Sequence, residues 1–359
     1  MDRKEISNRL TGFGNELADE ISKHKDPKMH LLQRGFNNVT FDETDSLLQL
    51  GDKTSTRSFL NIAHSRKFMQ TTMIAAKCKE LVDRNKTASI RELYYQLKHT
   101  MANTKENTFE DQSESDPLIV DLETMLEVLR EELHLKADDK GILIGNIIIE
   151  DSGDLINCAK LGRSGLSIPS IVEHYKFKKV DAEYVLVIET AAMFDRLVEE
   201  KYHIKNNCIM ISTKGQAARG CRRLVNRLNK ELKLPVIMFT DGDPWGYYIY
   251  SVIKAGSMAL AHESERLGTP NTQFVGMTMT DIETYKLEKV TEKLKDVDKK
   301  RISELLQYPW FQKKEWKKEL QMMSDLGVRI EQQALASKSL EFVAEKYLPE
   351  KINSKKLLP

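Results

Sequence analysis

The chain has 359 residues, of which 30% are charged and 40% hydrophobic, and its formal net charge is +1. This is the composition of a water-soluble globular protein, and the length exceeds one typical core, so two domains are expected. No apolar run reaches membrane-spanning length, Met1-Asp2-Arg3-Lys4-Glu5 is no signal peptide, and the four cysteines (Cys78, Cys158, Cys208, Cys221) form no C-x-x-C pair. These features exclude a transmembrane protein, a disulfide scaffold and a zinc site, and point to an intracellular chain.

Charge is uneven along the chain. Residues 57–98 hold nine Lys/Arg against three Asp/Glu and residues 214–233 seven against one, whereas residues 106–139 hold twelve acids and two bases. Two basic blocks fit a polyanionic partner, and solvated helix faces give the same pattern.

Residues 1–56 are polar and weakly periodic, with Leu47, Leu48 and Leu50 as their compact apolar group. They read as an N-terminal extension with some helix and as a candidate partner-docking arm. From Ser58, the spacing of Phe59, Ile62, Ala63, Met69, Met73, Ala76 and Leu81 predicts a helix to about Arg84. Ser89-Ile90-Arg91-Glu92 fits a capping box, and Ile90, Leu93, Tyr94 and Leu97 then fall on one face. A third helix is expected from Asp116-Pro117, with the stripe Leu118, Leu122, Met125, Leu126, Leu129 and Leu133. Residues 141–149 read as a strand pair or bent strand. Three helices and a β-ribbon over residues 57–150 are the order of a winged-helix domain.

Residues 151–359 read as a second, α/β domain, entered through the Gly- and Ser-containing stretch Leu161-Gly162-Arg163-Ser164-Gly165. Apolar runs at 184–188, 208–211 and 236–239 alternate with helical patterns at 191–201 and 216–232. Continuous apolar strands separated by helices predict a parallel-rich sheet covered on both faces. A further strand is expected at 274–278, and then a charged helical tail in which Trp310, Phe311 and Trp316 serve as packing anchors. Ligands of such sheets sit at the carboxyl ends of the strands. Here those ends carry Glu189, Asp241 and Asp243, with no basic residue among them. An Asp-x-Asp after a strand also caps helices; the third carboxylate favours a hard cation such as Mg2+.

Tyr94-Tyr95 is the second informative spot. At about 100° per residue, Tyr94 joins the buried stripe and Tyr95 turns away from it. Arg91 and His99 lie one helical turn before and after Tyr95, and a phenol needs cationic neighbours or a metal to act as a nucleophile near neutral pH. An exposed tyrosine lying over a helix is the bland alternative.

The combination of Ile90-Arg91-Glu92-Leu93-Tyr94-Tyr95, Glu189 and Asp241-Gly242-Asp243-Pro244 resembles the A subunit of DNA topoisomerase VI and the related meiotic double-strand-break protein. The resemblance runs from about Ser58 to the C-terminus. It implies that Tyr95 attacks DNA, that Glu189, Asp241 and Asp243 form a Toprim magnesium site, and that the fold is a winged-helix domain followed by a Toprim domain. Lys214, Arg219 and Arg222, in the glycine-containing basic segment after the second Toprim strand, are then candidate DNA contacts, with Arg91 beside the tyrosine. No G-x-x-x-x-G-K-[ST] loop is present. The resemblance therefore implies ATP bound by a separate ATPase B subunit, a homodimer of this chain on double-stranded DNA, and an A2B2 heterotetramer in the cytoplasm, associated with an archaeal nucleoid. A meiotic-type enzyme that cuts without resealing, a Toprim nuclease or primase-like enzyme, and a DNA-binding scaffold with a degenerate site are the alternatives.

Overall fold

In the computed structural model, which describes residues 2–359, contacts divide the chain into two units. The first holds the chain up to Thr40, Gln49–Asp138 and Met258–His262; the second holds Phe41–Leu48, Asp139–Ser257 and Glu263–Pro359. No helix among the described residues is long and apolar enough to cross a membrane.

The first unit is built on four helices: α1 (Arg3–Ser22), α2 (Ile62–Asp83), α3 (Ile90–Leu97) and α4 (Ser115–Leu126). Ile6 and Leu10 of α1 pack with Ile74, Cys78 and Val82 of α2, Leu93 of α3 and Leu118 and Leu122 of α4. The N-terminal extension is thus partly core, because the sparse apolar residues of α1 recur at helical spacing within a polar sequence. Asn61 caps α2, accepting the Ala63 N–H at 3.0 Å. Phe59 and Ile62, expected in its apolar stripe, precede the buried part and are exposed. The capping box of α3 forms in both directions, at 3.1 and 2.6 Å. Helix α4 starts at Ser115 after a short 3-10 turn and ends at Leu126, where Glu127 turns left-handed. Leu129 and Leu133 therefore lie beyond it.

A six-stranded sheet centres the second unit. Its strands are β1 (Ile142–Gly145), β2 (Leu166–Ser167), β3 (Tyr184–Ile188), β4 (Cys208–Ser212), β5 (Val236–Phe239) and β6 (Gln273–Gly276), in the order β2-β1-β4-β3-β5-β6. Strands β4, β3, β5 and β6 are mutually parallel, and β1 and β2 join antiparallel at one edge. Every residue of β3, β4 and β5 is buried, as expected for strands covered on both faces. The chain runs from β3 to β4 on one side and returns to β5 on the other, which makes the carboxyl end of β3 a topological switch point.

Residues 141–149 do not form a wing on the first unit. Ile142–Gly145 pairs with β4, and Ile147–Asp151 is the middle strand of a separate antiparallel sheet between Lys176–Val180 and Asp154–Asn157. An apolar run carries no mark of which sheet it will join. Trp310, Phe311 and Trp316 are buried, and the Trp316 indole N–H donates to the Pro359 carbonyl at 2.7 Å. All four cysteines are buried and free.

Candidate metal centre and nucleophile

The parallel sheet brings Glu189 and Asp241 to the same edge. Glu189 directly follows β3, and Asp241 lies just past β5, which is hydrogen-bonded alongside β3. The Asp241 main-chain N–H donates to Glu189 Oε2 at 3.1 Å. Asp243 is the N-cap of a helix at Pro244–Ala255, and its Oδ1 accepts the Gly246 N–H at 2.6 Å.

A segment about ninety residues later completes the site. Ile330 and Gly242 exchange main-chain hydrogen bonds at 2.7 and 3.1 Å, and the Gln332 N–H donates to Asp241 Oδ1 at 2.8 Å. The buried Gln332 side chain also accepts from Thr190 Oγ1 at 2.8 Å, and Thr190 is the residue that follows Glu189. The strap 330–332 thus grips both strand ends that bear the acids. No sequence motif marks it, because its contribution is mostly main-chain.

Electrostatically these carboxylates are uncomfortable. Glu189 is 8% exposed; burial first, then the adjacent Asp241 carboxylate, pushes it up to about 8. Burial raises Asp241 to about 6, with the Gln332 N–H opposing and Asp243 adding to the shift. Asp243 is also raised, chiefly by burial. Arg329, to which no local pattern in the sequence points, favours the ionised forms of Asp241 and Asp243. Its guanidinium is itself held by Glu292 at 2.7 Å and lies 3.8 Å from Asp298. One buried and two half-buried acids that repel one another suit a hard divalent cation, and an all-oxygen donor set fits Mg2+.

In the first unit, Tyr94 and Tyr95 part company as their helical phase predicts. Tyr94 is 8% exposed; its hydroxyl donates to the Glu110 carbonyl at 3.0 Å and accepts from Lys98 Nζ at 2.8 Å. Tyr95 is 61% exposed. Arg91, one turn earlier on α3, is exposed as well. His99 is not one turn later: α3 ends at Leu97 with Lys98 extended, and the His99 ring turns back to the Leu97 carbonyl at 3.1 Å.

Part of each basic block is paired with acids of its own unit. Arg57 and Arg34 both bind Asp121, at 2.8 and 2.5 Å, and Arg66 lies within 3.9 Å of carboxylates of Glu106, Glu110 and Glu114. The first basic block and the acidic block thus meet. On the helix Arg219–Leu232, Arg219 pairs with Glu263 at 2.8 Å, Arg223 with Glu173 at 3.0 Å and Arg227 with Glu231 at 2.6 Å. Arg222 is 2% exposed; among the described residues its Nε and Nη2 have no hydrogen-bond acceptor, and burial pulls its guanidinium down to about 10. As placed, neither Arg219 nor Arg222 offers a solvent-facing charge to a phosphate. Lys214 is exposed, on a turn where the Gly215 N–H donates to the Glu189 carbonyl at 2.8 Å.

Three family models match the sequence: type IIB DNA topoisomerase over residues 66–135, the all-beta domain of the DNA topoisomerase VI alpha chain over 138–181, and the Toprim domain shared by Spo11 and the topoisomerase 6 A subunit over 184–352. The second covers the antiparallel sheet that includes Ile147–Asp151. Similar proteins include the A subunit of type 2 DNA topoisomerase 6 from Pyrococcus abyssi, 55% identical over 368 residues, covering 100% of this chain and 96% of that protein. Those of Hyperthermus butylicus and Methanothermobacter thermautotrophicus are 42% and 40% identical, covering 94% and 99% of this chain and 92% and 99% of the respective proteins.

Proposed function

We propose a residue-level mechanism from this premise: the chain belongs to the topoisomerase VI A-subunit family and is the DNA-cleaving subunit of a type IIB DNA topoisomerase. Tyr95 is the nucleophile. Its phenolic oxygen gives up its proton and attacks a backbone phosphorus, the bond to the 3′ oxygen breaks, and that oxygen takes up a proton, leaving a 5′-phosphotyrosyl ester and a free 3′-hydroxyl. The ester preserves the phosphodiester energy, so attack by the 3′-hydroxyl reseals the strand without a ligase.

Glu189, Asp241 and Asp243 hold magnesium, which when bound supplies a Lewis acid that neutralises charge on the phosphate and the leaving oxygen. The protein's part is orientation. The Asp241 N–H and the Gln332 N–H fix the Glu189 and Asp241 carboxylates, and the helix cap fixes Asp243. The observation that carries the reading is the meeting of Glu189 and Asp241 at the switch point, with Asp243 close enough to raise both. Arg91 and Lys214 are the exposed candidates for phosphate contact; Arg219 and Arg222 act on DNA only if their surroundings rearrange.

A double-strand cut takes two nucleophiles, and each chain offers one, so two copies act together around the two-fold axis of DNA. Strand passage needs ATP, which a partner ATPase chain binds in an A2B2 assembly. With relatives in archaea, the enzyme works in the cytoplasm on the nucleoid.

Mixing Tyr95→Phe protomers with Glu189→Gln protomers tests the assignment. With each tyrosine working at the other copy's carboxylates, the mixed dimer has one intact site and nicks DNA, while either homodimer is inert. A verified mixed dimer that never nicks overturns the shared arrangement; covalent DNA capture by Tyr95→Phe overturns the nucleophile.

A further inference from the structure

The carboxylates have an aromatic neighbour that the mechanism leaves idle. Of the three tryptophans, Trp310 and Trp316 are buried, whereas Trp245 is 41% exposed. Trp245 is the second residue of the Pro244–Ala255 helix, two positions past Asp243. The same cap that fixes the Asp243 carboxylate closes on the next residue, Gly246, so the indole and the acid are set by one turn of chain.

The ring is also held from the side. The Arg301 guanidinium lies 4.3 Å from the Trp245 ring centroid and 4.9 Å from that of Tyr248, and Glu304 holds it at 2.9 Å. An indole fixed by a cation on one face keeps a rigid π surface for the other. Base–aromatic stacking is sequence-tolerant, because every base has a π face. A phosphate oriented at Asp243 carries its own nucleoside into the neighbourhood of that ring.

We propose that Trp245 is a stacking platform for the nucleoside beside the bond to be broken. The inference rests on the carboxylate site described above, and it adds a DNA contact that the acids and Tyr95 do not supply.

The test uses the full-length chain in chelator, so that binding is read without cleavage. A short labelled duplex is titrated while anisotropy reports binding and tryptophan emission reports stacking; the buried tryptophans are removed by subtracting the Trp245→Phe signal. The expected result is quenching that tracks the anisotropy in the wild type and vanishes in Trp245→Phe. Trp245→Ala should bind roughly tenfold more weakly, with an unchanged slope of log K against log salt, because stacking releases no counterions. Trp245→Phe, which keeps an aromatic face and serves as the fold control, should retain most of the affinity. Rising anisotropy without quenching overturns the platform and leaves DNA binding standing. So does wild-type affinity in Trp245→Ala, or a changed salt slope, which would trace the effect to a freed Arg301. If anisotropy never rises, the DNA reading itself fails and the platform with it.

Discussion

The Asp243 carboxylate accepts the Gly246 main-chain N–H at 2.6 Å, so one side chain both starts a helix and stands in the acidic group. The two duties separate by substitution. Asn caps a helix about as well as Asp, whereas Ala forfeits about 1 kcal/mol. Asp243→Asn should therefore melt at or above the wild type in chelator but cleave poorly with magnesium, and Asp243→Ala should melt below Asp243→Asn and cleave as poorly. Thermal melts with magnesium titration decide it. Unchanged magnesium affinity in Asp243→Asn would reduce this residue to a cap.

The tyrosine pair gives the opposite contrast. Tyr95→Phe removes an exposed hydroxyl and should shift stability by less than about 0.5 kcal/mol while abolishing covalent attachment to DNA. Tyr94→Phe loses the bonds to the Glu110 carbonyl and Lys98, which costs on the order of 1 kcal/mol, and should still form the adduct. Denaturant-resistant DNA–protein complexes and chemical melts measure the two effects. The reverse outcome would mean that the helix phase has been misassigned.

The raised pKa values of Glu189, about 8, and Asp241, about 6, set a pH dependence with a definite sign. Between the ordinary carboxylate range and these values the native chain binds protons that the unfolded chain has released, so the stabilisation is complete below that range and fades as pH rises from it to about 6 for Asp241 and about 8 for Glu189. In chelator, the melting temperature should fall across that window, and Glu189→Gln should flatten the fall. Magnesium requires the ionised acids, so its binding should release protons near pH 7 and tighten as pH rises. Calorimetry in buffers of different ionisation enthalpy tests this; a proton count of zero would remove Glu189 from the site.

The helix Arg219–Leu232 yields a prediction that composition alone would get backwards. Reversing the charge of Arg219 and Arg222 breaks the Glu263 pair and buries an unpaired acid at position 222, so the expected result is unfolding by several kcal/mol. Lys214→Ala should leave the fold intact and flatten the slope of log K against log salt by about one unit. A folded double reversal with normal DNA binding would contradict the burial of Arg222.

Much of this is legible in the sequence because it is local or periodic. The β3 and β5 runs, the Ser89 capping box and the Tyr94/Tyr95 phase each follow from a few adjacent residues. Other features depend on partners far along the chain. The run at 142–145 says strand but not which sheet, and the charges of Arg57 and Arg66 point to polyanions until Asp121 and the 106–114 carboxylates are placed beside them. Arg329 and Gln332 leave no mark because the acids they serve lie far back along the chain, and Gln332 reaches Asp241 through its main chain. Trp245 sits in view inside the Asp-Pro-Trp-Gly turn, and only its exposure sets it apart from the packing tryptophans.

The pairing of Ile330 with Gly242, and of Gln332 with Asp241, also bears on how this domain can be dissected. A fragment ending before residue 328 would keep all three acids, every strand of the central sheet and the whole Asp-x-Asp turn. It would nevertheless lose the clasp that sets the turn against Glu189. The chemistry is therefore not portable with its motif. A minimal fragment or a graft that reports faithfully on metal binding has to run past Gln332, and inactivity in a shorter one would describe the truncation rather than the acids.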